Sequence, residues 1–358
     1  METTAVNTVP TNKNRIEWLD TLKFLGIYTI YIAHFLNGAG NIYKFACMYV
    51  IQLFFFVSGC FAVRTLQKQS LFQYGKNQIR HLLLPYFIYS MLNIVIIVIQ
   101  ENRGIREVLP LIKQMVFGIR NQLFAPALWF LPCLFVVSLL FGILWKFTRK
   151  AGIVLLISFV IYGLAANLLP FDATDTPRWF FNIDSALYYL FFFTLGAFSF
   201  DWLSHISIEN WLSQYHKNKG MTLIISAVVG AMVLPVTVLT FFGRQDYFTI
   251  YPLFAKLPLI KWTYPIFIAL IIIVFHIVLA LWLQRIPLFH ELGRHTLAFC
   301  GNETVMKTLI PCVLSLLGLS LQIATPLHAY VYAFILLILC NYVMIPIEKK
   351  LFPKGMIS

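Results

Sequence analysis

Lys23 and His34 lie in one apolar stretch, RIEWLDTLKFLGIYTIYIAHF, and are eleven residues apart. Eleven residues make three helical turns, about 16 Å along the axis, so both side chains fall on one helix face. That face would run from a charged mouth, where Asp20 and Lys23 sit, to a histidine inside the membrane. Ionisable groups inside a membrane span are costly and mark function by default. Imidazole titrates near neutral pH, which suits His34 to act as a general base or proton carrier. The competing reading is a histidine hydrogen-bonded inside a helix bundle. A second polar pair, Glu303 and Lys307 in GNETVMK, stands one helical turn apart. Such an i,i+4 pair neutralises both charges and serves equally as a bundle lock or as catalytic machinery.

Other residues carry weaker signals. In QLFFFVSGCFAVR, Ser58-Gly59 is a small pair that lets helices approach closely. Arg64, Lys68, Lys76 and Arg80 cluster in the following segment. They read either as a topology signal or as a cationic site for a phosphorylated cofactor, since Lys and Arg hold phosphates through charge-assisted hydrogen bonds. His276, in IIIVFHIVLALW, is expected to be a satisfied packing histidine. Trp129 reads first as an interfacial belt residue, with an outward cavity as the alternative. Arg178, among Asp172, Asp175 and Asp184, reads first as a partner in a loop ion pair.

The elements that must position these residues are set by composition. The chain has 358 residues, of which 60% are hydrophobic, 11% are charged and 34 are Phe, with a mean hydropathy of +0.79. Soluble domains average about 45–50% apolar and about 25% charged residues, so a soluble enzyme, a disordered chain and a fibrous protein are excluded. The apolar runs are continuous and near membrane length, unlike the alternating strands of a β-barrel. The net charge of +13 is read as basic loops on the cytoplasmic side rather than as a nucleic-acid site. Cys47, Cys60, Cys133, Cys300, Cys312 and Cys340 all lie in apolar runs without CxxC spacing. Neither a disulfide framework nor a metal site is expected.

At roughly 20 apolar residues per membrane helix, ten spans are expected: 21–40, 46–64, 81–100, 126–145, 151–169, 185–202, 221–242, 264–284, 296–319 and 327–347. The fold class is therefore an all-α membrane bundle. Its domain, 21–347, lies between a cytoplasmic N-terminal segment, 1–20, and a cytoplasmic tail, 348–358. Segment 105–120 is amphipathic and expected at an interface. The polar head lacks the short apolar region and small-residue cleavage site of a signal peptide. With both termini inside, the inner segments hold 17 Lys/Arg and the outer ones nine, the bias of a cytoplasmic N-terminus.

These segments together resemble acyltransferase family 3, the integral-membrane O-acyltransferases of cell-surface glycans. The resemblance is carried by LDTLKFLGIYTIYIAH, LFFFVSGC, the basic stretch before LLLPY, ALWFLPCLF, LYYLFFFTLGAF and LGRHTLAF, in that order over nearly the whole chain. Asp20, Lys23, His34, Phe55, Ser58 and Gly59 occupy the family's motif positions. Three departures stand out: Lys23 replaces an Arg found in many members, Cys60 replaces an aromatic residue, and Glu303 stands where many members have His.

The resemblance implies transfer of an acyl group, most often acetyl from cytoplasmic acetyl-CoA, to a hydroxyl of a surface polysaccharide or its lipid-linked precursor. On this reading His34, Asp20 and Glu303 are the catalytic candidates. Lys23, Arg64, Lys76 and Arg80 would bind the CoA phosphates, and Trp129, Ser58 and Lys307 would contact substrate. No metal is called for. The expected partners are membrane lipid and a glycan acceptor, with a homodimer or a glycan-synthesis complex as the assembly. The expected location is the plasma membrane, multi-pass, in a bacterium. His34 would either deprotonate the acceptor or carry the acyl group. Two other classes fit the same buried charges: a transporter or flippase for a lipid-linked sugar or small metabolite, and a non-catalytic membrane partner. No pair of broken, related halves favours the transporter.

Overall fold

The structure, a computed structural model, describes residues 15–204, 219–243, 258–320 and 322–352. Among these residues all regular structure is helical. Seven helices or helix runs are long and apolar enough to cross a membrane: Asn41–Lys68, Leu71–Gln100, Phe130–Thr148, Ala151–Leu168, Phe180–Ser204, Trp262–Leu283 and Pro326–Leu351. Helix also occupies the three other expected segments, as α1 (Glu17–Ala33), α11 (Lys219–Phe241) and α14 (Thr296–Leu316). The amphipathic stretch forms α7 (Ile105–Phe117), which ends at Gly118 in the left-handed conformation that glycine adopts without a Cβ penalty.

Helix α1 is the centre of the molecule. It packs against α2 (Asn41–Cys47), α3 (Val50–Gly59), α12 (Pro258–Leu283), α13 (Pro287–Gly293), α14 and α15 (Pro326–Leu339). Side-chain hydroxyls tie it to those neighbours. Tyr31 donates to the Phe299 carbonyl at 2.7 Å, and Tyr28 donates to the Tyr330 carbonyl at 3.1 Å. The Tyr49 hydroxyl bridges Thr29 and His276. Hydrogen bonds of this kind, together with packing, hold membrane helices where no water-driven force acts between them.

Glycine sets the closest approaches. A Cβ on Gly59 would collide with the backbone of Phe193, and one on Gly196 would collide with the backbone of Phe56. Gly59 and Gly196 thus let α3 and α10 (Ile183–Ser204) meet backbone to backbone. A Cβ on Gly293 would strike the backbone of Asp20, so α13 is pressed against the first turns of α1.

The first helix is shorter than the expected 21–40. It ends at Ala33, His34 is its C-terminal cap, and a 3₁₀ turn follows over Leu36–Ala39. Leu36 and Gly40 both have positive φ, 51° and 62°. The turn residues Asn37-Gly38 and Gly40 carry the signal for this break. The span before α6 (Leu84–Gln100) is likewise interrupted. A π turn over Ile79–Leu83 joins α5 (Leu71–Gln78) to α6. Turns of this type are rare and frequently lie at functional sites.

Candidate functional site

Because α1 stops at Ala33, the His34 side chain leaves the helix end and meets α14. Its Nδ1 lies 2.7 Å from Glu303 Oε1. Lys307 Nζ donates to the same oxygen at 2.6 Å. Lys307 also reaches the Tyr31 carbonyl at 3.4 Å and sits 4.3 Å from the centre of the Phe35 ring. The expected Glu303–Lys307 pair is therefore present, and His34 joins it from another helix. Spacing within α14 reveals the pair, whereas the third member needs the tertiary structure.

The chemistry of this triad follows from its atoms. A carboxylate oxygen only accepts, so Nδ1 of a neutral His34 carries the ring proton and donates it to Glu303. Nε2 is then the basic nitrogen. The Glu303 side chain is 3% exposed and that of His34 is 29% exposed, so the carboxylate lies behind and the imidazole in front. With His34 neutral, Glu303 and Lys307 cancel each other's charge, which makes their burial tolerable. If Nε2 takes a proton, the adjacent carboxylate stabilises the imidazolium. This is the orienting role that a carboxylate plays toward a catalytic histidine. Glu303 Oε2 is buried without a hydrogen-bond partner.

His34 lines a cavity of about 420 Å³. Trp129, Arg120, Asn121 and Tyr43 are also on its wall. Trp129 is 6% exposed, which replaces the expected belt residue with a buried cavity wall. Arg120 lies over its ring at 4.8 Å and donates to the Thr174 carbonyl. Sequence reasoning passed over Arg120 and Asn121. Their loop lies outside every apolar span, and only the cavity gives them significance.

A second cavity, of about 250 Å³, takes Lys23, Ser58 and Leu82 in its wall. Phe54, Phe130 and Cys300 belong to both walls. The two cavities thus adjoin, one with Lys23 and the other with His34 in its wall. Ser58 spends its hydroxyl proton on the Phe54 carbonyl at 2.7 Å, leaving its oxygen able to accept.

The remaining candidates lie elsewhere. Asp20 is buried and grips Lys23 at 2.6 Å, with Arg294 Nε 3.9 Å from its other oxygen. It is fourteen residues, about 21 Å of helix, from His34, and so positions the lysine rather than the histidine. Arg64 pairs with Asp201 at 2.8 Å and stacks on Phe200. Lys76 and Arg80 are exposed on α5 and the π turn. Leu82, two residues beyond Arg80, reaches the second cavity.

His276 is hydrogen-bonded at both nitrogens, to the Ile272 carbonyl and to the Tyr49 hydroxyl, each at 2.8 Å. This is the packing role expected of it. Arg178 forms no side-chain ion pair among the described residues. Its guanidinium lies over Phe171, and Asp184 instead accepts from the backbone N–H groups of Arg178 and Trp179. Counting that from the Ser185 N–H, three backbone N–H groups hold the carboxylate. No group of three or more His, Cys, Asp or Glu residues able to hold a metal ion occurs among the described residues.

At the turn between α13 and α14, His295 is partly buried and faces Lys349, Arg15 and Arg294. Burial first, then these cations, pull its pKa from 6.5 to about 4, against the opposing pull of Glu291. This end of the bundle holds its histidine neutral in a cationic setting.

Fold and site together define a multi-pass, all-helical membrane protein with a carboxylate-supported histidine facing an internal cavity. The family profile described as Acyltransferase domain matches residues 16–343, and the chain belongs to acyltransferase family 3. No curated protein and no solved structure gives a significant match. Family membership supports an acyl-transfer activity at a membrane.

Proposed function

We propose that the protein transfers an acyl group, acetyl in the first instance, from cytoplasmic acyl-CoA to a hydroxyl of a cell-surface polysaccharide or its lipid-linked precursor. The observation that carries this reading is the His34–Glu303–Lys307 triad on the wall of one cavity, joined through Phe54, Phe130 and Cys300 to a second cavity that Lys23 lines. Acyl transfer across a bilayer needs a cationic port for the donor, a base at the acceptor and an acyl path between them. The Lys23 cavity supplies the port, with Arg64, Lys76 and Arg80 as candidates for the CoA phosphates outside it. His34 supplies the base, and Trp129 with Arg120 offers an aromatic and cationic platform for the acceptor.

In this reading the acceptor hydroxyl enters the His34 cavity and gives its proton to Nε2 as its oxygen attacks the thioester carbonyl. Glu303 holds the ring and stabilises the imidazolium. That proton then leaves with the CoA sulfur, and His34 returns to its starting form. With ten spans and both termini cytoplasmic, Lys23 would lie inside and His34 toward the exterior. A topology reporter fused after Ser358 is expected to be active only in its cytoplasmic form; activity only as a secreted reporter would reverse the orientation.

The donor end is tested by acetyl-CoA binding to the purified full-length protein. Lys23→Gln is expected to weaken binding, and added salt to weaken it further in the wild type, because the phosphates are held electrostatically. Absence of acetyl-CoA binding at low salt would sink the acyltransferase reading and favour a transporter of a sugar lipid.

A further inference from the structure

Among the described residues, the wall of the His34 cavity holds one permanent charge, Arg120, and no carboxylate. Glu303 lies behind His34, outside that wall, and its charge is met by Lys307. Most of the rest of the wall is aliphatic or aromatic, so the field of the guanidinium is little screened there. The volume, about 420 Å³, is that of a small-ligand site, for which about 300–1,000 Å³ is usual.

Arg120 is held in place but not neutralised. Its backbone N–H donates to Asn182 Oδ1 at 2.8 Å, and the fully buried Asn182 donates in turn to the Gly118 carbonyl at 2.7 Å. The half-buried side chain lies over the Trp129 ring, and its Nη1 donates to the Thr174 carbonyl. A guanidinium offers five donors in a planar fork, so most of the fork is free. Among the described residues Arg120 makes no ion pair, whereas Lys23, Arg64, Arg103 and Lys307 each have a carboxylate at 2.8 Å or less. The acidic loop nearby does not fill the gap. Asp172 accepts from the N–H and hydroxyl of Thr174, and Asp184 is held by backbone N–H groups. Asp175 meets the wall through its carbonyl, which accepts from Asn121 Nδ2 at 2.7 Å. A cation fixed by buried groups, facing an apolar cavity without a counter-charge, calls for an anion from the ligand.

We propose that Arg120 recognises an anionic group on the acceptor, so that this cavity takes hydroxyl-bearing glycans that also carry a carboxylate or a phosphate. The proposal rests on the acyltransferase reading above and adds the chemical class of the acceptor. The free part of the fork grips the anion through charge-assisted hydrogen bonds, and a hydroxyl of the same ligand is presented to His34 on the same wall. Anchoring the ligand away from the reacting oxygen fixes its orientation, which is where much of the gain from positioning arises. It also sets specificity, because a neutral glycan leaves the guanidinium unpaired. Two acceptors share this chemistry: a polysaccharide with acidic sugars, and a lipid-linked precursor with its phosphate beside the sugar.

The test measures equilibrium binding of paired probes to the purified full-length protein in detergent at low salt, without acyl donor. One pair is the methyl glycoside of glucuronic acid and its neutral methyl ester. The other is farnesyl-diphosphate-linked N-acetylglucosamine and the neutral farnesyl glycoside of the same sugar. At least one anionic probe is expected to bind about tenfold or more tighter than its neutral counterpart, the effect of a charge-assisted hydrogen bond, and salt should erode the difference. Arg120→Gln should bring that probe down to the affinity of its neutral counterpart. Arg120→Lys should keep part of the preference, since the charge remains when the fork is lost, and so shows that the cavity is still folded. A preference for the uronate alone assigns the acidic polysaccharide, and one for the diphosphate alone assigns the lipid-linked precursor. Equal binding of charged and neutral probes, no binding of either anionic probe, or a preference that survives Arg120→Gln would overturn the proposal. An Arg120-dependent preference in a protein that binds no acetyl-CoA would instead overturn the acyltransferase reading and leave the anion site standing.

Discussion

His34→Ala is expected to abolish acyl transfer while leaving acetyl-CoA binding and the fold intact. The imidazole lies at the end of α1, partly exposed, and its hydrogen bond in the structure is to Glu303. The donor cavity, with Lys23 and Ser58 in its wall, does not depend on it. A general base contributes about 10²–10⁴-fold, so the rate of glycan acetylation should fall by that factor at unchanged donor affinity. His276→Ala supplies the contrast. It removes two buried hydrogen bonds, each worth about 0.5–1.5 kcal/mol net, one across the contact between α12 and Tyr49 and one to the Ile272 carbonyl within α12. It should lower thermal stability while leaving the rate per folded molecule near that of the wild type. Near-wild-type transfer by His34→Ala would remove His34 from the chemistry.

The two ends of α1 were unequally legible in the sequence. Lys23, His34 and the Glu303–Lys307 spacing all stand out because charge inside an apolar run is rare, and each lies on the wall of a cavity or in the triad. What periodicity could not reveal is that α1 breaks at His34. The Asn37-Gly38 signal lies inside a run apolar enough to read as one continuous helix, and the break is what turns the imidazole toward α14. Asp20 has the residue type of a catalytic acid, but it is paired with Lys23 and lies beside Arg294. Spacing alone does not separate a catalytic carboxylate from one that anchors a lysine. For Trp129 the sequence leaves belt and cavity both open, and for Arg178 it favours a loop ion pair. Aromatic and charged residues near span ends are usually belt or loop residues, and only the packing of Trp129 beneath Arg120, and of Arg178 over Phe171, shows otherwise. Arg120 and Cys300 left no motif at all, because their place is defined by cavities built from several helices.

Glu303 is the residue whose two readings, bundle lock and catalytic support, make opposite predictions for a double variant. Glu303→Met alone leaves Lys307 partly buried with its counter-charge gone. Breaking a buried pair by removing one partner typically costs about 3–5 kcal/mol, so a large fall in the unfolding temperature in detergent is expected. Lys307→Met alone leaves Glu303, whose side chain is 3% exposed, dependent on His34 for compensation. It should disturb the carboxylate that orients the His34 ring and so suppress transfer. Glu303→Met combined with Lys307→Met replaces the pair by apolar side chains of similar length, an exchange that is often neutral or stabilising. Thermal stability should therefore return to near the wild-type value. Transfer should not return, because Nδ1 of His34 has lost the acceptor that fixes its tautomer and balances the imidazolium. A double variant that regains both stability and activity would reduce Glu303 to a lock between helices. One that regains stability alone separates the two roles and assigns the carboxylate to the reaction.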